Sequence, residues 1–216
     1  MRPRRQWLGL LRGPSASPLA VIMTTVSAPT QQQLKAADSI AEAISRGLSD
    51  FQAETRVASA ARLAGTFLFR DFKFPAKDVA PGTLVLSDKA NDAAPLLFNT
   101  LAVTLQVLGV QTDPTKRSHF PGTSSSHASQ LSVNETQVQL EAQIRKIAAK
   151  FKLNAQEAAQ SCAIAAGRLI RDHASTLDAN IGYAVAAYGF IEGLKTMPPS
   201  LAAERTSSKA WWAFWK

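Results

Sequence analysis

Few side chains in this sequence are suited to chemistry, and their spacing matches no catalytic or metal-binding pattern. There are three histidines and one cysteine. His119 and His127 stand eight residues apart with no acid between them, unlike any metal-ligand spacing, and read as loop residues. His173 follows Asp172 in "RLIRDHAS". Successive residues of a helix point to different faces, so Asp172 is not expected to orient the ring. A helix C-terminus favours a histidine cation, which gives His173 a structural role. Cys162, among the alanines of "AAQSCAIAAG", reads as a small core residue rather than a nucleophile. "GTSSS" lacks the strand–turn–helix setting of a nucleophile elbow. No phosphate-loop or dinucleotide glycine fingerprint is present. "LSDKAND" gathers Asp88, Lys89, Asn91 and Asp92, with Arg62 and Arg70 as candidate partners for the acids. Acid–base work or ion binding is conceivable there, and capping of a helix start explains the same residues more simply. No catalytic residue, cofactor or metal ligand is assigned.

The unusual chemistry lies at the C-terminus. "KAWWAFWK", Lys209 to Lys216, holds three of the four tryptophans. Pro198-Pro199 stops a helix, and "SLAAERTSSKA" reads as a polar tether. Trp211, Trp212, Phe214 and Trp215 then form one apolar cluster, an aggregation hazard if left in water. Its expected home is a partner protein, where tryptophans are favoured anchors, or a bilayer interface, where tryptophan and lysine sit well. A groove on its own domain is the competing reading.

The segments between these residues read as helices. Leu34, Ala37, Ile40, Ile44, Leu48 and Phe51 recur at steps of three and four, with Gly47 near the end. Val57, Ala61, Ala64 and Leu68 repeat the pattern, with Ser49 or Asp50 as the expected cap. This helix fades into "FLFRDFKFP", where four phenylalanines crowd together. Pro81-Gly82 reads as a turn. "TLVLS" after it reads as a buried linker, or as a small hairpin with "FLFRDF". The next helix is expected from about Asp92, with Pro95 in its first turn, to Gly109. Its apolar face is Leu97, Leu101, Leu105 and Leu108. Residues 111–132 read as a long mobile loop. Two capping boxes follow, Ser132 with Glu135 and Asn154 with Glu157. The first opens a helix with Leu140, Ile144, Ile147 and Phe151 on one face. The second opens one with Cys162, Ala166, Leu169 and Ile170 inward. Asp178 caps a last helix bearing Ile181, Val185, Tyr188 and Leu194.

Small residues also form stripes: Gly182, Ala186, Gly189 and Gly193; Ala159, Ala163 and Gly167; Ala58, Ala61 and Gly65. Glycine within a helix costs about 1 kcal/mol against alanine, so these positions call for close backbone approach. Packing inside one bundle accounts for them, and a homo-oligomer interface or a ligand groove is the sharper alternative.

The expected fold is mostly α. It is a single bundle of about five to six helices over residues 31–197, with at most one short strand or hairpin and flexible termini. Residues 198–216 form a tail, and residues 1–30 lie outside the fold. "RRQWLGLL" has an arginine pair before an apolar run, but Arg12, Pro14 and Pro18 break the run too early for an export signal. An organellar targeting segment, a true start at Met23 and a disordered arm remain the readings of residues 1–22. Removing those residues is expected to leave stability unchanged, because they carry no periodic apolar face.

The formal charge of +8 invites a nucleic-acid reading. Arg2, Arg4, Arg5 and Arg12 give the first 22 residues +4, and the last 16 carry +2, which leaves +2 for everything between. Nucleic-acid binding is therefore not expected, because it needs a clustered basic face. No run of about 18 apolar residues predicts a spanning helix. One cysteine excludes an intramolecular disulfide and suits a reducing, cytoplasmic setting, with an exported or organellar one if residues 1–22 are a targeting segment. The function expected is non-enzymatic protein–protein binding, as an adaptor, an inhibitor or immunity-type protein, or an assembly factor. The alternatives are a peripheral membrane protein held by its Trp/Lys tail and an enzyme with no recognisable motif.

Overall fold

The computed structural model describes residues 28–74, 79–113 and 128–201. Within them are six helices: α1 (Gln31–Gly47), α2 (Ala53–Asp71), α3 (Asp88–Val107), α4 (Val133–Lys150), α5 (Ala155–Asp172) and α6 (Ala179–Lys195). Local side chains open most of them. Thr30 and Gln33 form a reciprocal capping box on α1, as do Ser132 and Glu135 on α4 and Asn154 and Glu157 on α5. The folded unit thus reaches back to Thr30. Ser87 accepts from the Ala90 amide to cap α3, and Asp178 accepts from Asn180 and Ile181 to cap α6.

Two helix starts differ from expectation. Neither Ser49 nor Asp50 caps α2. Its cap is Gln52, which makes no side-chain cap bond. The Gln52 amide instead donates to the side chain of Gln130, 2.9 Å away across 78 residues. α3 begins at Asp88 rather than near Asp92, which places Pro95 beyond the first turn. Proline there removes the bond to the Asn91 carbonyl. The first two turns hold because Ala90 and Ala94 are buried against the core.

"TLVLS" also packs differently. Among the described residues no strand forms, only a single antiparallel bridge between Leu84 and Thr196. The amides of Gly82 and Val85 donate to the carbonyls of Met197 and Lys195, and the Met197 amide returns a bond to Thr83. The segment therefore pairs with the chain leaving α6, not with "FLFRDF". It is not buried: Leu84 is 63% exposed and Leu86 75%.

α2 is the centre of the bundle, buried on nearly every face from Glu54 to Phe69. It packs mainly on α6 and α5, while α5 also carries α1 and α3. The small-residue stripes make this possible. A Cβ on Gly65 would lie 2.5 Å from the Phe190 carbonyl oxygen and 2.6 Å from the Leu194 nitrogen. One on Gly189 would meet Ala61 at 2.9 Å. Gly182, Ala186, Gly189 and Gly193 are all covered by this chain's own helices. Tyr188 alone of the expected inward residues of α6 turns outward. No described helix is long and apolar enough to cross a membrane.

Candidate functional site

A polar stripe runs along α2 at four-residue spacing: Arg62, Thr66 and Arg70. Each meets a partner from α4 or α6. Arg62, 5% exposed, donates to Glu192 at 2.7 Å and to Ser129 and the Leu131 carbonyl. Thr66 donates to the Arg62 carbonyl and accepts from Gln137. Arg70 grips Glu141 through two nitrogens, and one of them also donates to the Pro199 carbonyl at 2.8 Å. Arg62 and Arg70 thus pair with Glu192 and Glu141, not with the acids of "LSDKAND". Asp88, Lys89, Asn91 and Asp92 are exposed at the start of α3. Among the described residues no His, Cys, Asp or Glu cluster could hold a metal.

The stripe ends in a cleft of about 610 Å³. Phe69, Arg70, Lys73 and Phe74 come from the end of α2, and Val79 and Pro81 from the segment after it. Arg145 comes from α4, and Met197 to Leu201 from the chain beyond α6. Among the described residues the lining carries Arg70, Lys73 and Arg145 and no acid. Beside the cleft, the carboxylate of Glu141 is 1% exposed and engages both arginines. It holds Arg70 tightly and Arg145 at 3.9 Å, where the Arg145 side chain remains 39% exposed. Lys73 leaves the helix with a positive φ of 50°, which turns the backbone sharply after α2. The rings of Phe69, Phe72 and Phe74 form one cluster with centroids 5.3–6.4 Å apart. Arg145 also lines a neighbouring hollow of about 500 Å³ with Lys146. The arrangement offers aromatic surface and cations on rigid helix ends, which suits an acidic segment that also carries apolar side chains.

Trp211, Trp212, Phe214 and Trp215 lie outside the described residues, as do His119 and His127. Leu201, where the described chain stops before them, lines the cleft. Cys162 is fully buried, and desolvation pushes its thiol well above the usual cysteine range. His173 corrects an expectation. It is the C-cap of α5, yet its pKa lies below the ordinary histidine value. Burial disfavours the cation first, and then Arg56, whose Nη1 is 3.2 Å from Nε2. These outweigh the opposing charges of Asp172 and Glu54. Asp172 pairs with Arg171 and does not hold the ring.

No family model, curated protein or solved structure matches this chain.

The sequence reading noticed the crowded phenylalanines but not Lys73 or Arg145. A signal existed: Glu141 falls three residues before Ile144 and seven before Ala148, on the inner stripe of α4. A carboxylate there demands a cation from another helix.

Proposed function

We propose that this chain works by binding another protein, and that its binding face is the Phe69–Arg145 cleft together with the tail leaving its edge. One observation carries the reading: the tryptophan-bearing segment continues directly from Leu201, which lines an aromatic, cationic cleft. Trp211 lies ten residues beyond Leu201, a reach of up to about 35 Å. Cleft and tail can therefore engage one partner together. Arginine and tryptophan are the usual anchors of protein interfaces, and the partner segment this face suits is acidic with apolar side chains. A cytoplasmic setting goes with the reading, since the single thiol is free and buried.

The experiment uses the full chain with a photo-cross-linker at Phe74, and at the exposed Val138 of α4 as control. A partner captured only from Phe74, through an acidic peptide, supports the proposal. So does its loss on deleting residues 209–216 or on Lys73→Glu with Arg145→Glu, provided the thermal midpoint is unchanged. A tail deletion that lowers the midpoint and leaves capture intact makes the tail a clasp on its own domain and defeats the proposal. Tail-dependent liposome pelleting that ignores both charge reversals favours a bilayer interface instead.

A further inference from the structure

The cleft at the end of α2 holds more positive charge than its own residues neutralise. Glu141 is the acid beside it, and Arg70 takes both carboxylate oxygens through Nε and Nη2. Nη2 also donates to the Pro199 carbonyl, so Arg70 is committed to holding the cleft together. Arg145 is placed differently. It stands one turn beyond Glu141 on α4, 3.9 Å from an oxygen that Arg70 already grips. Among the described residues its guanidinium makes no hydrogen bond, and the Lys73 ammonium has neither a hydrogen bond nor an ion pair.

The undescribed segments hold no net acid to supply the missing charge. Residues 1–27 carry +4, residues 75–78 carry Lys77 against Asp78, and residues 114–127 and 202–216 carry +2 each. A fixed counter-charge for Arg145 and Lys73 therefore has to come from another molecule. Lys73 also sits where the backbone disfavours it. It follows the C-cap of α2 with a φ of 50°, a place where glycine or asparagine is the usual residue. Lysine accepts that conformational cost and brings an ammonium to the cleft.

We infer that the cleft receives a phosphorylated segment of a partner protein, with Arg145 and Lys73 holding the phosphomonoester and Phe74, Val79 and Leu201 taking the apolar side chains that flank it. This rests on the reading of the cleft as the partner-binding face, and it names the group that the face reads. A carboxylate side chain brings one negative charge. A phosphomonoester carries about −1.5 to −2 at pH 7 with three acceptor oxygens, which matches two uncommitted cations. A guanidinium takes two of those oxygens side by side, and an ammonium takes the third as a point charge. Glu141 acts as a positioning residue: only 1% exposed, it keeps the Arg145 head near Arg70 without using its donors. The flanking surface is apolar, with Phe74 and Val79 half-buried and Leu201 exposed.

The test is fluorescence anisotropy of the full chain with a labelled peptide Ala-Phe-X-Phe-Ala, where X is phosphoserine, phosphotyrosine, serine or glutamate. At least one phosphopeptide binds about tenfold tighter than the serine peptide, and tighter than the glutamate one. Lys73→Gly removes the ammonium and relieves the left-handed backbone, so affinity falls by about tenfold while the thermal midpoint holds or rises. Arg145→Gln loses a similar factor and keeps its helix. Glutamate and phosphopeptides that bind alike overturn the inference and leave the cleft as a face for acidic segments. Capture from Phe74 with both phosphopeptides inert does the same. Inorganic phosphate that displaces the phosphopeptide mole for mole overturns it in favour of a free anion. Phosphatidylserine vesicles that bind through Lys73 and Arg145 while the phosphopeptides stay inert overturn it in favour of a lipid surface. Failure of capture from Phe74 defeats the underlying reading, and the inference with it.

Discussion

Gly65→Ala tests the packing on which everything else hangs. The new methyl would lie 2.5 Å from the Phe190 oxygen, 2.6 Å from the Leu194 nitrogen and 2.7 Å from the Gly193 carbonyl carbon. All three are backbone atoms of α6, so no rotamer change relieves the overlap. Cβ contacts below 3.0 Å are essentially never tolerated, so α6 has to retreat by at least about half an ångström. A gap of that size forfeits about a quarter of each dispersion contact along the seam. Alanine returns about 1 kcal/mol of helix propensity. Overpacking costs about 1–3 kcal/mol, and backbone-on-backbone overlap belongs at the top of that range. The net expectation is a loss of about 2 kcal/mol, or about 4–8 °C in thermal midpoint for a chain of this size.

The assay is paired urea and thermal unfolding followed by circular dichroism, with Gly47→Ala as the control. At Gly47 the nearest atom is a Leu140 methyl at 3.4 Å, ordinary contact, so the propensity gain survives and stability rises by up to about 1 kcal/mol. Gly193→Ala attacks the same seam, and combined with Gly65→Ala it should cost less than the sum, since the helices are already apart. If Gly65→Ala instead stabilises the chain as Gly47→Ala does, the two helices do not approach at backbone distance and the account of the glycine stripes is wrong.

Arg62→Met should cost about 3 kcal/mol in urea unfolding, because Glu192 and the Leu131 carbonyl lose a buried cation; Glu192→Gln should cost less. His173 makes stability depend on pH. Its folded-state pKa is depressed, so the unfolded chain takes up the proton first, and stability falls as pH drops through about 6.5 and levels below the folded value. His173→Gln should flatten that part of the pH profile. Cys162 should react with iodoacetamide only as fast as the chain opens, so labelling in rising urea should follow the unfolding transition. Asn154→Ala should cost about 1 kcal/mol through loss of the α5 capping box.

The caps of α4, α5 and α6 were readable because each is made within three residues of the helix start. The start of α2 was not, because the group that satisfies the Gln52 amide comes from Gln130. The same distance hid the partners of Arg62 and Arg70, which lie 130 and 71 residues away. Periodicity marks which positions face inward; it does not say which helix they meet. Pro95 misled for a related reason: local rules place proline early in a helix, and burial of Ala90 and Ala94 overrode them. The crossing of residues 82–85 over the end of α6 is backbone pairing, which side-chain pattern scarcely records. Of the cleft, the aromatic half was visible as "FLFRDFKF", and the cationic half required the fold.

The polar stripe of α2 explains how that cleft comes to be where it is. α4 joins the bundle through Gln137 and Glu141, one turn apart, which meet Thr66 and Arg70, also one turn apart. Apolar contact alone would let α4 slide along α2 at modest cost, since one aliphatic side chain replaces another. A slide of one turn would take Glu141 from Arg70 and leave a buried carboxylate with only the more distant Arg145 of its own helix, at a cost in stability. The two polar contacts therefore set the register. With the register set, Arg145, one turn beyond Glu141, has to emerge at the rim of the cleft beside Arg70. The bond from Arg70 to the Pro199 carbonyl draws in the chain beyond α6, so Leu201 comes to the same edge. One buried glutamate thus fixes both the cationic wall of the cleft and the point from which the tryptophan-bearing tail departs.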